Sequence, residues 1–135
     1  MKKDFTILIA DRNRHVREFL RRELMAEGYN VQLAKTGREV LNAVFDDERL
    51  DLLILDMDLP DAKEMSLLEK VEDRIPTLPV VVHTFLEEYP NHQIRLSTTA
   101  FVEKEGTNID RLKQVILESL RKSYPRRFGI EQENA

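Results

Sequence analysis

Four side chains suited to handling a phosphoryl group stand where short apolar runs stop. Asp11 ends the run Phe5-Thr6-Ile7-Leu8-Ile9-Ala10, and Asp56 ends Leu52-Leu53-Ile54-Leu55. Thr84 lies just past Val80-Val81-Val82, and Lys104 just past Ala100-Phe101-Val102. Asp58 follows Asp56 by two residues. An aspartate carboxylate can attack phosphorus and form an acyl phosphate. A hard divalent cation takes oxygen ligands and keeps several waters, while a lysine and a hydroxyl can hold the equatorial oxygens of the transferred group. Taken singly, each residue has a plainer reading. Aspartate after a strand often caps a turn or helix, and an isolated threonine or lysine is ordinarily structural. The chemistry exists only if the four run ends meet.

For them to meet, the runs must be neighbouring strands of one sheet. Phe5–Ala10 and Leu52–Leu55 are almost continuously apolar, the pattern of strands buried on both faces. Val31-Gln32-Leu33, Val80-Val81-Val82 and Ala100-Phe101-Val102 supply three more. Helices alternate with them. Val16, Phe19, Leu20 and Leu24 share one helical face, with Gly28 where that helix should stop. Thr36-Gly37-Arg38-Glu39 is a capping box opening a second helix with Val40, Leu41, Val44 and Phe45 on its apolar stripe. A third helix is expected from about Ser66 to Arg74, with Leu67, Leu68 and Val71 inward. Residues 85–99 carry no clear period and are interrupted by Pro90. Thr107 or Asn108 can cap a last helix bearing Ile109, Leu112, Val115, Ile116 and Leu120. This alternation predicts an α/β fold with a parallel sheet covered on both faces. Ligand chemistry in such sheets gathers at the carboxyl ends of the strands.

Composition narrows the function classes. The chain has 135 residues, 41% apolar and 34% charged, which predicts one domain. The expected division is a domain over residues 4–123 and a flexible tail over 124–135, where no period continues. The net charge of −4 argues against direct nucleic-acid binding. No cysteine is present, which excludes disulfides, thiolate metal sites and cysteine nucleophiles. No apolar stretch approaches the ~20 residues of a membrane span, and a cytoplasmic location is expected. His15, His83 and His92 show no metal-ligand spacing. The arginines of the first helix (Arg14, Arg17, Arg21, Arg22) interleave with Glu18, Glu23 and Glu27, as on a salt-bridged outer face.

At these strand ends the chain resembles the receiver domain of two-component response regulators, from about Thr6 to about Lys122. Ala10-Asp11-Arg12-Asn13 occupies the place of that family's acidic pair after the first strand. Leu53-Ile54-Leu55-Asp56-Met57-Asp58-Leu59-Pro60 matches the segment carrying the phosphorylated aspartate, and Ala100-Phe101-Val102-Glu103-Lys104 matches the switch aromatic and the phosphoryl-binding lysine. The resemblance implies a flavodoxin-like, doubly wound fold of strand order 2-1-3-4-5. It also implies Asp56 as phosphoacceptor, Lys104 as its cation, Thr84 and Phe101 as switch residues, and Mg²⁺ held by Asp11, Asp56 and the main-chain carbonyl of Asp58.

The departures are specific. Arg12 stands where the family usually carries its second carboxylate. With Lys104 it balances Asp11 and Asp56, and a guanidinium ~4 Å from an incoming dication would repel it by several kcal/mol at an effective dielectric of about 20. Weak or absent Mg²⁺ binding is the resulting expectation, softened if the Asp58 side chain turns inward. Arg12 can also swing out to pair with a surface acid, or bind phosphoryl oxygens itself. Phe85 follows the switch threonine where a small residue is common, and Glu64 sits where a glycine is common. Glu105 replaces the usual proline after the lysine, making a cis peptide there costly.

The expected function is a stand-alone receiver that is not itself an enzyme and accepts a phosphoryl group on Asp56. The implied donor is a histidine kinase or phosphotransfer protein. Signalling to an unknown downstream protein would run through the surface formed by the helix before the fifth strand, that strand and the last helix. A monomer or weak homodimer is expected. Two alternatives stand beside it. One is an interaction module that has lost phosphorylation, with Arg12 paired to Asp56. The other is a haloacid-dehalogenase-like phosphatase, because Leu55-Asp56-Met57-Asp58 also resembles that nucleophile motif.

Overall fold

The structure, a computed structural model, describes residues 4–46, 49–62, 65–85, 99–104 and 109–129. Five strands run in chain order: β1 (Thr6–Ala10), β2 (Asn30–Ala34), β3 (Leu52–Leu55), β4 (Val80–Thr84) and β5 (Thr99–Glu103). They form one sheet in the order β2-β1-β3-β4-β5, and every pairing is parallel. The helices are α1 (Arg14–Ala26), α2 (Gly37–Asp46), α3 (Leu67–Glu72) and α4 (Ile109–Ser123). The doubly wound flavodoxin-like architecture expected from the sequence is the one observed.

Strand alternation divides the core in two, because successive side chains point to opposite faces. Leu8, Ala10, Leu53, Leu55, Val80 and Val82 pack with Val40 and Val44 of α2 and Leu67 and Val71 of α3. Ile7, Ile9, Leu52, Ile54, Val81 and Val102 pack on the other face with Leu20 and Leu24 of α1 and with Leu112, Val115, Ile116 and Leu120 of α4. Burial on both faces is why β1 and β3 read as unbroken apolar runs rather than alternating ones.

Local signals set the helix ends. Asn13 caps α1, its side-chain oxygen accepting from the N–H groups of His15 at 2.8 Å and Val16 at 3.1 Å. Gly28, at φ 100°, ends the same helix in the left-handed region that glycine tolerates. The Thr36 hydroxyl accepts from Glu39 N at 3.1 Å, and Glu39 reaches back to Lys35 N at 2.8 Å. The box therefore closes one residue earlier than its simple form. Asp61 takes the remaining N–H groups of Gly37 and Arg38. A Cβ on Gly37 would stand 2.8 Å from both Asp61 Oδ1 and Met65 Sδ, so a larger residue here would displace those side chains.

Two boundaries differ from expectation. Helix α3 is shorter than the predicted span of about Ser66 to Arg74: Ser66, at φ 48°, is its N-cap with no side-chain cap bond, and Asp73 is already its C-cap. Residues 124–129 were expected in a flexible tail. Instead, Pro125–Phe128 form a 3-10 turn whose Phe128 ring stacks on Phe5 at 5.2 Å. The Tyr124 hydroxyl donates to the Asp51 carbonyl at 2.7 Å, and Arg127 pairs with Asp51 and donates to the Asp4 carbonyl. Tail residues 130–135, the caps Thr107 and Asn108, Glu64, Glu105 and His92 lie outside the described residues. So does residue range 86–98, where a helix before β5 would fall.

Candidate functional site

Main-chain bonds fix the starting positions of the candidate side chains. Asp11 N donates to the Ala34 carbonyl, Asp56 N to Ala10 and Lys104 N to Thr84, at 2.9–3.1 Å, continuing the sheet ladders one residue past the strands. Asp11, Asp56, Thr84 and Lys104 thereby meet at one carboxyl edge. Three of these side chains sit below the surface: Asp11 is 1% exposed, Asp56 2% and Thr84 0%.

Both oxygens of Asp56 are engaged. Oδ1 accepts from the Thr84 hydroxyl at 3.1 Å and from the Asp58 N–H at 3.0 Å, and Oδ2 lies 3.2 Å from Lys104 Nζ. Lys104 also reaches Asp11 Oδ2 at 2.6 Å, so one ammonium bridges two buried carboxylates. Asp11 Oδ1 accepts from Asn13 N at 2.8 Å. Since Asn13 itself caps α1, the plainer reading of Asp11 as the helix cap is set aside. Burial raises the Asp11 pKa above 3.8, an effect only partly opposed by its hydrogen bond from Lys104 and reinforced by the charge of Asp56.

Arg12 does not enter this cluster. Its Nη2 lies 3.2 Å from Asp58 Oδ2, and both side chains are substantially exposed. Of the placements weighed from the sequence, this is the surface pair. The Asp58 carboxylate accordingly turns toward Arg12, and its contact with Asp56 is made through the main chain. Phe101 is half-buried, opposite Val82 in the β4–β5 register, and packs against the core face that contains Val82. Phe85 is 46% exposed, with Lys104 Nζ 5.4 Å from its ring centroid.

Two neighbours escaped the sequence reading. Arg17, assigned there to a salt-bridged outer face, donates from Nη1 to the Asp11 carbonyl at 2.7 Å. Asn13 directly before the first helical residue was a legible N-cap signal. His83 points away from Thr84 along the strand alternation, and its Nδ1 is buried with no hydrogen-bond partner among the described residues. Burial, reinforced by the charge of Lys104, pushes its pKa from 6.5 down to about 4.

Among the described residues no group of three or more acidic or histidine side chains is arranged to hold a metal ion. Asp11 and Asp56 nonetheless present two oxygen donors in one pocket, a set suited to a hard cation that retains water. No described helix is long and apolar enough to cross a membrane.

Known proteins are similar to this chain in sequence and in fold. Response regulator MprA of Mycolicibacterium vanbaalenii is 38% identical over 78 residues, covering 58% of this chain and 33% of that protein. MprA of Mycobacterium avium matches at the same identity and covers 34% of its length, so the chain spans about a third of the curated relatives it matches. Among solved structures, the response regulator TrrA from Thermotoga maritima, in complex with Mg²⁺-BeF, superposes with a TM-score of 0.75 at 26% identity, covering 85% of this chain and 98% of that one. The receiver domain of the hybrid histidine kinase CckA gives 0.71 at 28%, with the same coverages. The family profile of the response regulator receiver domain matches residues 7–117. With that match spanning most of the sequence, this chain belongs to the response regulator receiver domain family.

Proposed function

We propose that Asp56 is the residue that accepts the phosphoryl group. Receiver domains of two-component systems are phosphorylated on aspartate, and they interact with histidine kinases or phosphotransfer proteins. The observation that carries the assignment is the pair of engaged oxygens on Asp56, one facing the Thr84 hydroxyl and the other the Lys104 ammonium.

In the transfer, an Asp56 oxygen bonds to phosphorus while the bond from phosphorus to the donor's leaving group breaks, and that group departs with the electron pair. Lys104 exchanges its contact with Asp56 for the new equatorial oxygens, and the Thr84 hydroxyl turns to donate to one of them. Asp11 holds Lys104 in place from the other side. Receiver domains bind Mg²⁺ generally, and here Asp11 and Asp56, with the main-chain carbonyl of Asp58, would hold it. Bound there, it would offset charge on the transferring group. Output is a population shift: Thr84 moves toward the phosphoryl group, Phe101 follows, and the surface around β5 and α4 changes for a partner protein.

The test is incubation with acetyl phosphate, read by intact mass. A phosphoryl adduct on the wild type that Asp56→Ala abolishes supports the assignment, and an adduct that survives the substitution overturns it. A phosphorylation-independent module locked by an Arg12–Asp56 pair is not favoured, because Arg12 contacts Asp58 instead. The phosphatase reading has no support in a family of signalling modules that are generally not enzymes.

A further inference from the structure

Phosphorylation places about −1.5 to −2 charges and three strong acceptor oxygens in a small volume. Here that volume already holds two carboxylates, and its buried ammonium is shared between them. Another cation stands close by. Arg12 adjoins Asp11 in sequence, its guanidinium is 3.2 Å from Asp58 Oδ2, and the N–H of Asp58 is 3.0 Å from Asp56 Oδ1. Two contacts therefore link Arg12 to the phosphoacceptor.

The Arg12–Asp58 pair is easily broken, because exposed ion pairs gain little against water and side-chain entropy. A guanidinium on phosphoryl oxygens makes a stronger contact, charge-assisted and able to bond through two parallel N–H groups. The same pair keeps the Asp58 carboxylate engaged at the rim and holds a positive charge there. Both effects disfavour a divalent cation before phosphorylation.

We propose that Arg12 is a specificity-determining residue of this pocket. When Asp56 carries a phosphoryl group, the guanidinium leaves Asp58 for the phosphoryl oxygens and supplies charge otherwise drawn from Mg²⁺. The modified state of this chain is then less dependent on the metal than its pocket carboxylates alone would make it. The inference rests on Asp56 being the phosphoacceptor.

Beryllofluoride, a phosphoryl mimic that needs no kinase, tests it. Binding is followed by ¹⁹F NMR in EDTA and in saturating Mg²⁺ for the wild type, Arg12→Ala, Arg12→Asp and Asp58→Asn, and the Mg²⁺ affinity of each free protein is measured by calorimetry. The wild type should shift its half-saturation by less than about fivefold between the two conditions, and Arg12→Asp by about a hundredfold. Arg12→Ala should lose metal-free binding by about tenfold. Asp58→Asn, which releases the guanidinium, should strengthen metal-free binding. Arg12→Asp should also bind Mg²⁺ at least about tenfold more tightly than the wild type. Equal metal dependence in the wild type and Arg12→Ala overturns the role of Arg12 and leaves the Asp56 assignment standing. Failure of all four proteins to take up beryllofluoride in either condition overturns both.

Discussion

The N–H of Lys104 donates to the carbonyl of Thr84 at 2.9 Å, one rung past the end of the β4–β5 pairing. The hydroxyl and the ammonium that flank Asp56 thus ride on main chains bonded to each other. Phe101 pairs with Val82 in the same β4–β5 register. Under the proposed switch, a pull on the Thr84 side chain would reach β5 through that main-chain bond.

Thr84→Val keeps the shape of the side chain and removes its hydroxyl. Asp56 retains the Asp58 N–H and Lys104, so phosphoryl uptake measured by intact mass should persist. The amide shifts of Phe101 and Val102 on adding beryllofluoride should shrink to a small fraction of the wild-type change. Stability in urea should fall by about 1 kcal/mol, the worth of one buried hydrogen bond. Undiminished shifts at Phe101 would show that the hydroxyl does not carry the signal.

Asp56→Asn should raise stability at pH 7 by about 1 kcal/mol, because it removes one of two buried like charges that share a single ammonium. Asp11 supplies the pH signature. Its folded pKa lies above 3.8, so the native state binds the extra proton in the window above that value. Stability contributed by this group therefore declines as pH rises through the window. Without the neighbouring carboxylate, the Asp11 pKa should fall and this slope should flatten. Urea midpoints across acidic pH for the wild type and Asp56→Asn measure both effects, and a less stable variant at pH 7 contradicts the like-charge account.

His83 acts in the opposite sense. Its folded pKa of about 4 lies below the usual 6.5, so between these values the unfolded chain binds the extra proton. Stability is then complete above about 6.5 and lost as pH falls toward about 4, by up to about 3 kcal/mol. His83→Gln should show a smaller loss over that interval. Subtracting the two pH profiles cancels the contribution of Asp11, and identical profiles would mean that the imidazole is solvated in the native state.

The parallel sheet was legible because burial on both faces writes itself as unbroken apolar runs, at Ile7–Ala10 and Leu52–Leu55 above all. The meeting of Asp11, Asp56, Thr84 and Lys104 followed from the rule that such sheets gather chemistry at their carboxyl ends. The direction of Arg12 did not follow, since a long exposed side chain chooses among acids by fractions of a kcal/mol that no spacing encodes. The left-handed backbone of Ser66, the N-cap of α3 at φ 48°, is likewise not written in any spacing. The turn at Pro125–Phe128 stayed hidden because four residues are too few to show a period. Its anchors, Phe5 and Asp51, lie more than 70 positions away in sequence.

That turn supplies the last prediction. Asp51 is 7% exposed and accepts from Thr6 N at 2.8 Å, while Arg127 pairs with its carboxylate. The guanidinium carbon also sits 4.0 Å above the Phe5 ring. Removing the arginine loses a half-exposed ion pair and a cation–π contact together, so Arg127→Ala should cost about 1–2 kcal/mol in urea. Tyr124→Phe, which deletes only the hydroxyl that donates to Asp51, should cost about 1 kcal/mol. The two losses should not add, because both side chains are fastened to the same residue. Phosphoryl uptake on Asp56 should be unchanged in both, since Asp51 precedes β3 and Asp56 follows it, at opposite ends of the strand. Wild-type stability in both variants would return the domain boundary to residue 123.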